Sequence, residues 1–141
     1  MSRWPYPILS WIRRLLGHGD KPADMADYYP ARMAVRAENA KNWALDRVQN
    51  RTGKTLRKVY GWTVVLKPCA WNAEAGRYCW RVGAQWVAGL TEGRTSQMAC
   101  GPDLNPNDVS DGDLRHEACH YWMDQNGMKD SAHTIYPEVW R

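Results

Sequence analysis

At 141 residues the chain has room for one domain with a modest core, and 44% hydrophobic with 24% charged residues excludes both a disordered and a membrane-embedded composition. Nine Trp and seven Tyr with no Phe supply the aromatic bulk, so most large rings bring an N–H or O–H that needs a partner when buried. The net charge of +4 is uneven: residues 31–68 hold nine Lys or Arg against two acids, and residues 101–141 hold three against eight. Two such segments either attract each other within the fold or leave the basic one for an anionic partner such as nucleic acid.

The first segment, residues 1–29, begins with Arg3 and a short apolar run broken by Pro5 and Pro7, then Arg13 and Arg14. The run is too short to span a bilayer and no small-residue cleavage site follows it, so a signal peptide is not expected. Residues 8–16 suit an amphipathic turn or two, resting on a membrane surface, on a partner or on the domain itself. Residues 20–30 read as a polar, Pro-bounded connector. After Pro30 a helix is predicted: Met33, Ala37, Ala40, Ala44 and Val48 recur at the spacing of one helical face, and Gly53 stops it.

Beyond Lys58 the period changes to two. Trp62, Val64 and Leu66 alternate with Thr63, Val65 and Lys67 until Pro68, which predicts a strand. Further strands are expected near 78–82, 85–91 and 95–100, separated by Gly-containing turns, in a small meander. Cys69 and Cys79 flank a possible disulfide loop, which would require an oxidising compartment; the dispersed thiols show no CxxC, and a cytoplasmic protein is the expectation. The stretch "GPDLNPNDVS" is a loop. Ser110 then offers an N-cap with Asp113 three residues on, and Gly127 a C-terminal stop, bounding a helix of about four turns. The element order makes the chain α+β, with residues 30–141 as its domain.

That last helix carries "HEACH", residues 116–120. Residues i and i+4 stack on one helix face, so His116 and His120 aim two imidazoles at one point, close enough to share a metal at about 2.0–2.1 Å from each nitrogen. Glu117, one position round, can reach a water beside that metal. This is the HExxH pattern, in which Zn2+ lowers the pKa of water to roughly 7 and the glutamate takes its proton during attack on a carbonyl. The bland alternative is two surface histidines on an amphipathic helix. A catalytic zinc needs a third protein ligand; His133, thirteen residues beyond His120 with twelve between them, is the first candidate and Glu138 the rival. His18 is remote and not expected to ligate. Cys119 reads as a small apolar helix residue, and four closed ligands for a structural zinc are not evident.

The stretch "HEACHYWMDQNGMKDSAHTIYPEVW" resembles the SprT-like metallopeptidases: HExxH, a Gly-containing turn, a third His some twelve to fourteen residues on and then an aromatic. It departs from them at Thr134, where that pattern has Gly, and the likeness covers only about 25 residues. Glu138 suits the spacing of gluzincins without their Asn-Glu context, and the metzincin signature is absent. The resemblance implies a zincin-like domain, in which an N-terminal helix and a short meander pack on the HExxH helix, with Zn2+ held by His116, His120 and His133. It also implies peptide or protein substrates. Tyr136, or Tyr121, is the candidate hydrogen-bond donor to the tetrahedral oxyanion, and Asp124 and Asp130 are candidates to hold a ligand imidazole. The strand at 95–100 is expected to be the edge along which a peptide lies. The expected function is a zinc metallopeptidase with Glu117 as general base; the alternative is a non-catalytic metal-containing module binding an anionic partner through residues 31–68.

Overall fold

The computed structural model describes residues 23–59 and 61–141, with side chains described from residue 33 onward. The expectations for residues 8–16 and for His18 lie outside the described residues. Helix α1 runs from Ala23 to Thr52, strand β1 from Thr63 to Pro68, and helix α2 from Asp111 to Gln125, with a short final helix α3 from Pro137 to Trp140. Between β1 and α2 come β2 (Trp71–Asn72), β3 (Arg77–Tyr78), β4 (Trp80–Val82), β5 (Gln85–Val87), β6 (Gly89–Glu92) and β7 (Thr95–Cys100). The chain is α+β, as its element order implied. No helix among the described residues is long and apolar enough to cross a membrane.

Two expectations need correction. The first helix begins at Ala23, so Pro30 lies inside it and the boundary drawn at residues 29 and 30 falls within α1. Proline removes one backbone donor, whereas Ala23, Met25 and Ala26 favour helix and Asp24 and Asp27 suit its positive N-terminal end. Nor are the strands a meander. The main sheet has the order β1–β7–β6, with β1 parallel to β7 and β6 antiparallel to it. Residues 69–94 cross over between the parallel pair, and within them β2–β3 and β4–β5 form separate two-stranded hairpins. A parallel pair cannot be closed by a tight turn, and local alternation does not record which strand a segment joins.

The core lies between α1, α2 and the inner face of this sheet. Ala40, Ala44 and Val48 on α1 meet Leu114, Ala118 and Trp122 on α2, while Val64, Leu66 and Met98 close it from the sheet. The small α1 residues leave room for Trp122, whose indole N–H donates to the Lys41 carbonyl at 2.8 Å. Gly53, at φ +71°, ends α1 where a residue with a Cβ would be strained. All four cysteines are buried free thiols, so Cys69 and Cys79 are not bridged.

Much of the basic middle segment is spent within the fold. Arg36 donates to the Pro106 and Val109 carbonyls and pairs with Asp111. Arg47 donates to the carbonyls of Val139 and Arg141, Arg51 to Glu138, and Arg57 to Gln125. Arg57 covers a carbonyl at the C-terminal end of α2, and Arg47 and Arg51 cover carbonyls of α3 and the residue after it, where helix dipoles favour positive charge. Arg36 instead ties down the turn that precedes α2. Attraction inside the fold thus accounts for a large part of the charge asymmetry.

Candidate metal centre

Helix α2 is set by its ends. The Ser110 hydroxyl accepts the Asp113 N–H at 3.0 Å, the predicted N-cap, and Gly127 at φ +69° lets the Met128 N–H reach back to the Met123 carbonyl at 2.8 Å. With Leu114, Ala118 and Tyr121 facing the core, His116 and His120 point away from it, on the side covered by the chain after Gly127. Met123, three residues beyond His120, is fully buried in the core.

The third histidine arrives from that chain. One ring nitrogen from each of His116, His120 and His133 lies within 4.8 Å of the others, and Nε2 of His120 is 3.0 Å from Nε2 of His133. Two nitrogens bound to one tetrahedral ion at 2.0–2.1 Å stand about 3.3 Å apart, so the separation suits a shared cation. Burial, followed by the neighbouring imidazoles, lowers the His116 pKa to about 4 and the His120 pKa to about 3. Both rings are therefore neutral near pH 7, with lone pairs available to a metal. Three part-buried imidazoles converging in this way can hold a metal ion. Glu138 does not join them: it is neither in the group of converging ligand atoms nor among the residues that line the cleft.

Asp130 and Trp140 hold the loop half of the site. The Asp130 carboxylate is fully buried and accepts the backbone N–H groups of Thr134, Ile135 and Tyr136 and the indole N–H of Trp140, at 2.8–3.0 Å. Burial alone would raise its pKa, but these four donors outweigh it and keep the group well below the usual carboxylate range. His133 sits at φ +61° inside the loop so ordered. The Trp140 ring lies against all three imidazoles, with centroids 4.3 Å from His120, 4.3 Å from His133 and 4.9 Å from His116. It forms an apolar wall beside the triad.

Glu117 occupies the opposite side. Its carboxylate is buried at 6% exposure and is pressed against β6: a Cβ built on Gly89 would stand 2.8 Å from its Oε2. Oε1 accepts the Thr91 hydroxyl at 2.7 Å. Burial pushes the Glu117 pKa up to about 7, the Thr91 hydrogen bond pulls against that, and Asp113 and Asp124 add to the rise. His116, Glu117, His120 and His133 line one cleft of about 530 Å³ with Gly89, Leu90 and Thr91.

The other expected residues divide between the core, the loop and the cleft wall. Tyr121 is in the core, its hydroxyl donating to the Val59 carbonyl. Tyr136 is not among the cleft residues; it packs against the core with the Lys54 ammonium over its ring. Asp130 acts on the loop backbone rather than on an imidazole side chain, and Asp124 lines the cleft with its pKa raised by burial against the pull of Lys129. The 95–100 strand is central, paired on both sides, so the strand edge beside the histidines is β6. The sequence reading passed over Gly89, Thr91 and Trp140. A glycine within the run "VAGLT" is a sign of close backbone approach, but nothing local identifies its neighbour. The chain matches no known protein-family model, and comparisons with curated proteins and with solved structures return no similar protein.

Proposed function

We propose that the chain is a small zinc-dependent metallopeptidase of the zincin type, in line with its SprT-like resemblance over residues 116–140. The observation that carries this reading is the convergence of His116, His120 and His133 beside a buried carboxylate, Glu117, in one open cleft. The donor set suits zinc: three imidazoles leave one tetrahedral position open, as catalytic sites require. Bound there, zinc would supply Lewis acidity, lowering the pKa of water and polarising the scissile carbonyl.

The chain's own groups do the rest. Oε1 of Glu117 is engaged by Thr91, which leaves Oε2 to take a proton from water as its oxygen bonds to the carbonyl carbon. As the C–N bond breaks, the same oxygen returns that proton to the leaving amine. The Trp140 wall and the burial of Glu117 keep bulk water from levelling these charges. The β6 edge, at Gly89–Thr91, runs beside the histidines and offers main-chain groups to an extended substrate. A module that binds an anion through residues 31–68 has less in its favour, because Arg36, Arg47, Arg51 and Arg57 are engaged inside the fold.

The test is metal analysis of purified wild type beside Glu117→Gln, with hydrolysis of an unstructured protein as the activity. The expected result is one zinc per chain in both and hydrolysis in wild type alone. Absence of stoichiometric zinc under metal-replete conditions, or equal hydrolysis by Glu117→Gln, would overturn the reading.

A further inference from the structure

Behind Thr91 stand a second hydroxyl and an indole that have no part in the chemistry described so far. The Thr91 hydroxyl that donates to Glu117 stands 2.6 Å from the Ser96 hydroxyl, and Ser96 Oγ accepts the Trp62 indole N–H at 2.8 Å. Ser96 has no solvent exposure at all. The two chain ends set the sense of every bond. An indole only donates and an ionised carboxylate only accepts, so with Glu117 ionised Ser96 donates to Thr91 and Thr91 to Glu117. Chains aligned in one sense polarise each member and strengthen the terminal bond.

The main sheet builds this arrangement. Thr91 on β6 and Ser96 on β7 are direct cross-strand partners, and Ser96 pairs with Val64, two residues beyond Trp62. Gly89, two residues before Thr91 and so on the same face of β6, leaves the space that the carboxylate fills. The Trp62 ring is anchored in turn against Tyr121, at 5.8 Å between centroids.

We propose that Gly89, Thr91, Ser96 and Trp62 form a socket that positions Glu117, with Thr91 as the positioning residue. The socket clamps Oε1 at Thr91 and packs Oε2 against Gly89, on the wall of the cleft that the three imidazoles also line. It rests on the peptidase reading above for its catalytic consequence, but not for its existence. Without it the carboxylate keeps its place in the sequence but loses its single orientation, and a misaimed general base forfeits much of the 10²–10⁴-fold that such a group contributes.

The experiment compares Thr91→Val, which keeps the shape and removes the hydroxyl, with Thr91→Ser, which restores it. Zinc content, thermal unfolding, kcat and KM on an unstructured protein, and the Trp62 indole N–H resonance are read for each. The indole signal is assigned by Trp62→Phe. We expect Thr91→Val to keep one zinc per chain and a KM within about twofold, to lose kcat on the order of 10–100-fold, as loss of an orienting partner does, and to shift the Trp62 indole signal. Thr91→Ser should regain most of the kcat. A kcat within twofold of wild type in zinc-loaded Thr91→Val overturns the proposal, as does a failure of Thr91→Ser to rescue. If wild type itself cleaves nothing, the peptidase reading fails separately and the socket is judged on spectra alone. In that case Glu117→Ala and Thr91→Val must each move the Trp62 indole resonance, and a signal unmoved by either sinks the socket.

Discussion

The two halves of the triad are built in different ways. His116 and His120 stand on α2, a helix capped at both ends and packed along its length on α1 and the sheet. Their mutual placement is a matter of helical pitch. His133 stands in a loop at φ +61°, and its position depends on one buried carboxylate, one indole and the arginines that pin the short helix after it. A helix places two ligands with local hydrogen bonds alone, whereas a loop ligand is only as well placed as the tertiary contacts around it. The loop half should therefore be the fragile one, and the variants below test that contrast.

The largest effect is expected from Asp130→Ala, which strands three backbone N–H groups and an indole N–H in a buried site. Unpaired buried donors cost about 1–3 kcal/mol each before relaxation, so a net loss of at least about 3 kcal/mol is expected in urea denaturation of the metal-free protein. Metal affinity should fall with it, while far-UV signals of α2 persist in the residual fold. A loss below about 1 kcal/mol would mean that the loop has another organiser.

On the helix side, Gly89→Ala drives a Cβ to within 2.8–3.0 Å of the Glu117 carboxylate. Such overpacking costs typically about 1–3 kcal/mol, and here it presses on Glu117, the proposed general base, rather than on one of the three imidazoles. Zinc content should stay near one per chain while hydrolysis falls steeply. If both fall in parallel, Glu117 and the triad are not separable in the way their elements suggest.

A smaller effect isolates the backbone of His133. Both His133→Gly and His133→Ala delete the imidazole, but only glycine takes a positive φ freely, a difference of about 1–2 kcal/mol for a left-handed residue. Metal-free His133→Gly is therefore expected to be more stable than His133→Ala by about 1 kcal/mol, with metal binding weakened equally in both. Equal stability would show that the loop relaxes away from this conformation once the ring is gone.

The smallest effect concerns Cys119, a reporter inside α2. It is buried, and burial pushes its thiol pKa up to about 12, against the pull of Arg47 and with a further push from Glu117. Alkylation at pH 8 should be slow in wild type and accelerate only modestly when the loop half is opened by Trp140→Ala. A large acceleration would show that the halves unfold together.

Much of the helical half was legible in order. Ser110, Asp113 and Gly127 mark the ends of α2, and the four-residue spacing of the histidines holds in any helix that forms there, so the residues specify the geometry without help. The alternation at Val64 and Leu66 likewise marks an inward face. The start of α1 is not legible at Pro30, because the helix accepts that proline as one missing bond and begins at Ala23. The sheet order is not legible because hydrogen bonding between distant strands leaves no local trace, and for the same reason the strand edge lies at Gly89–Glu92 rather than at 95–100. Asp130 was legible as an acid near the site but not as the acceptor for its loop, since a carboxylate looks the same in sequence whether it faces an imidazole or four N–H groups.

By itself the sequence determined the α+β composition, the capped helix and the His116–Glu117–His120 spacing, because caps and helical pitch act over a few residues. Tertiary structure alone decided that His133 rather than Glu138 joins the pair, that Trp140 walls the three rings, and that Glu117 lies between Gly89 and Thr91. Each of those depends on chain segments brought together by burial of a shared core, and burial is a property of the whole fold rather than of any stretch within it.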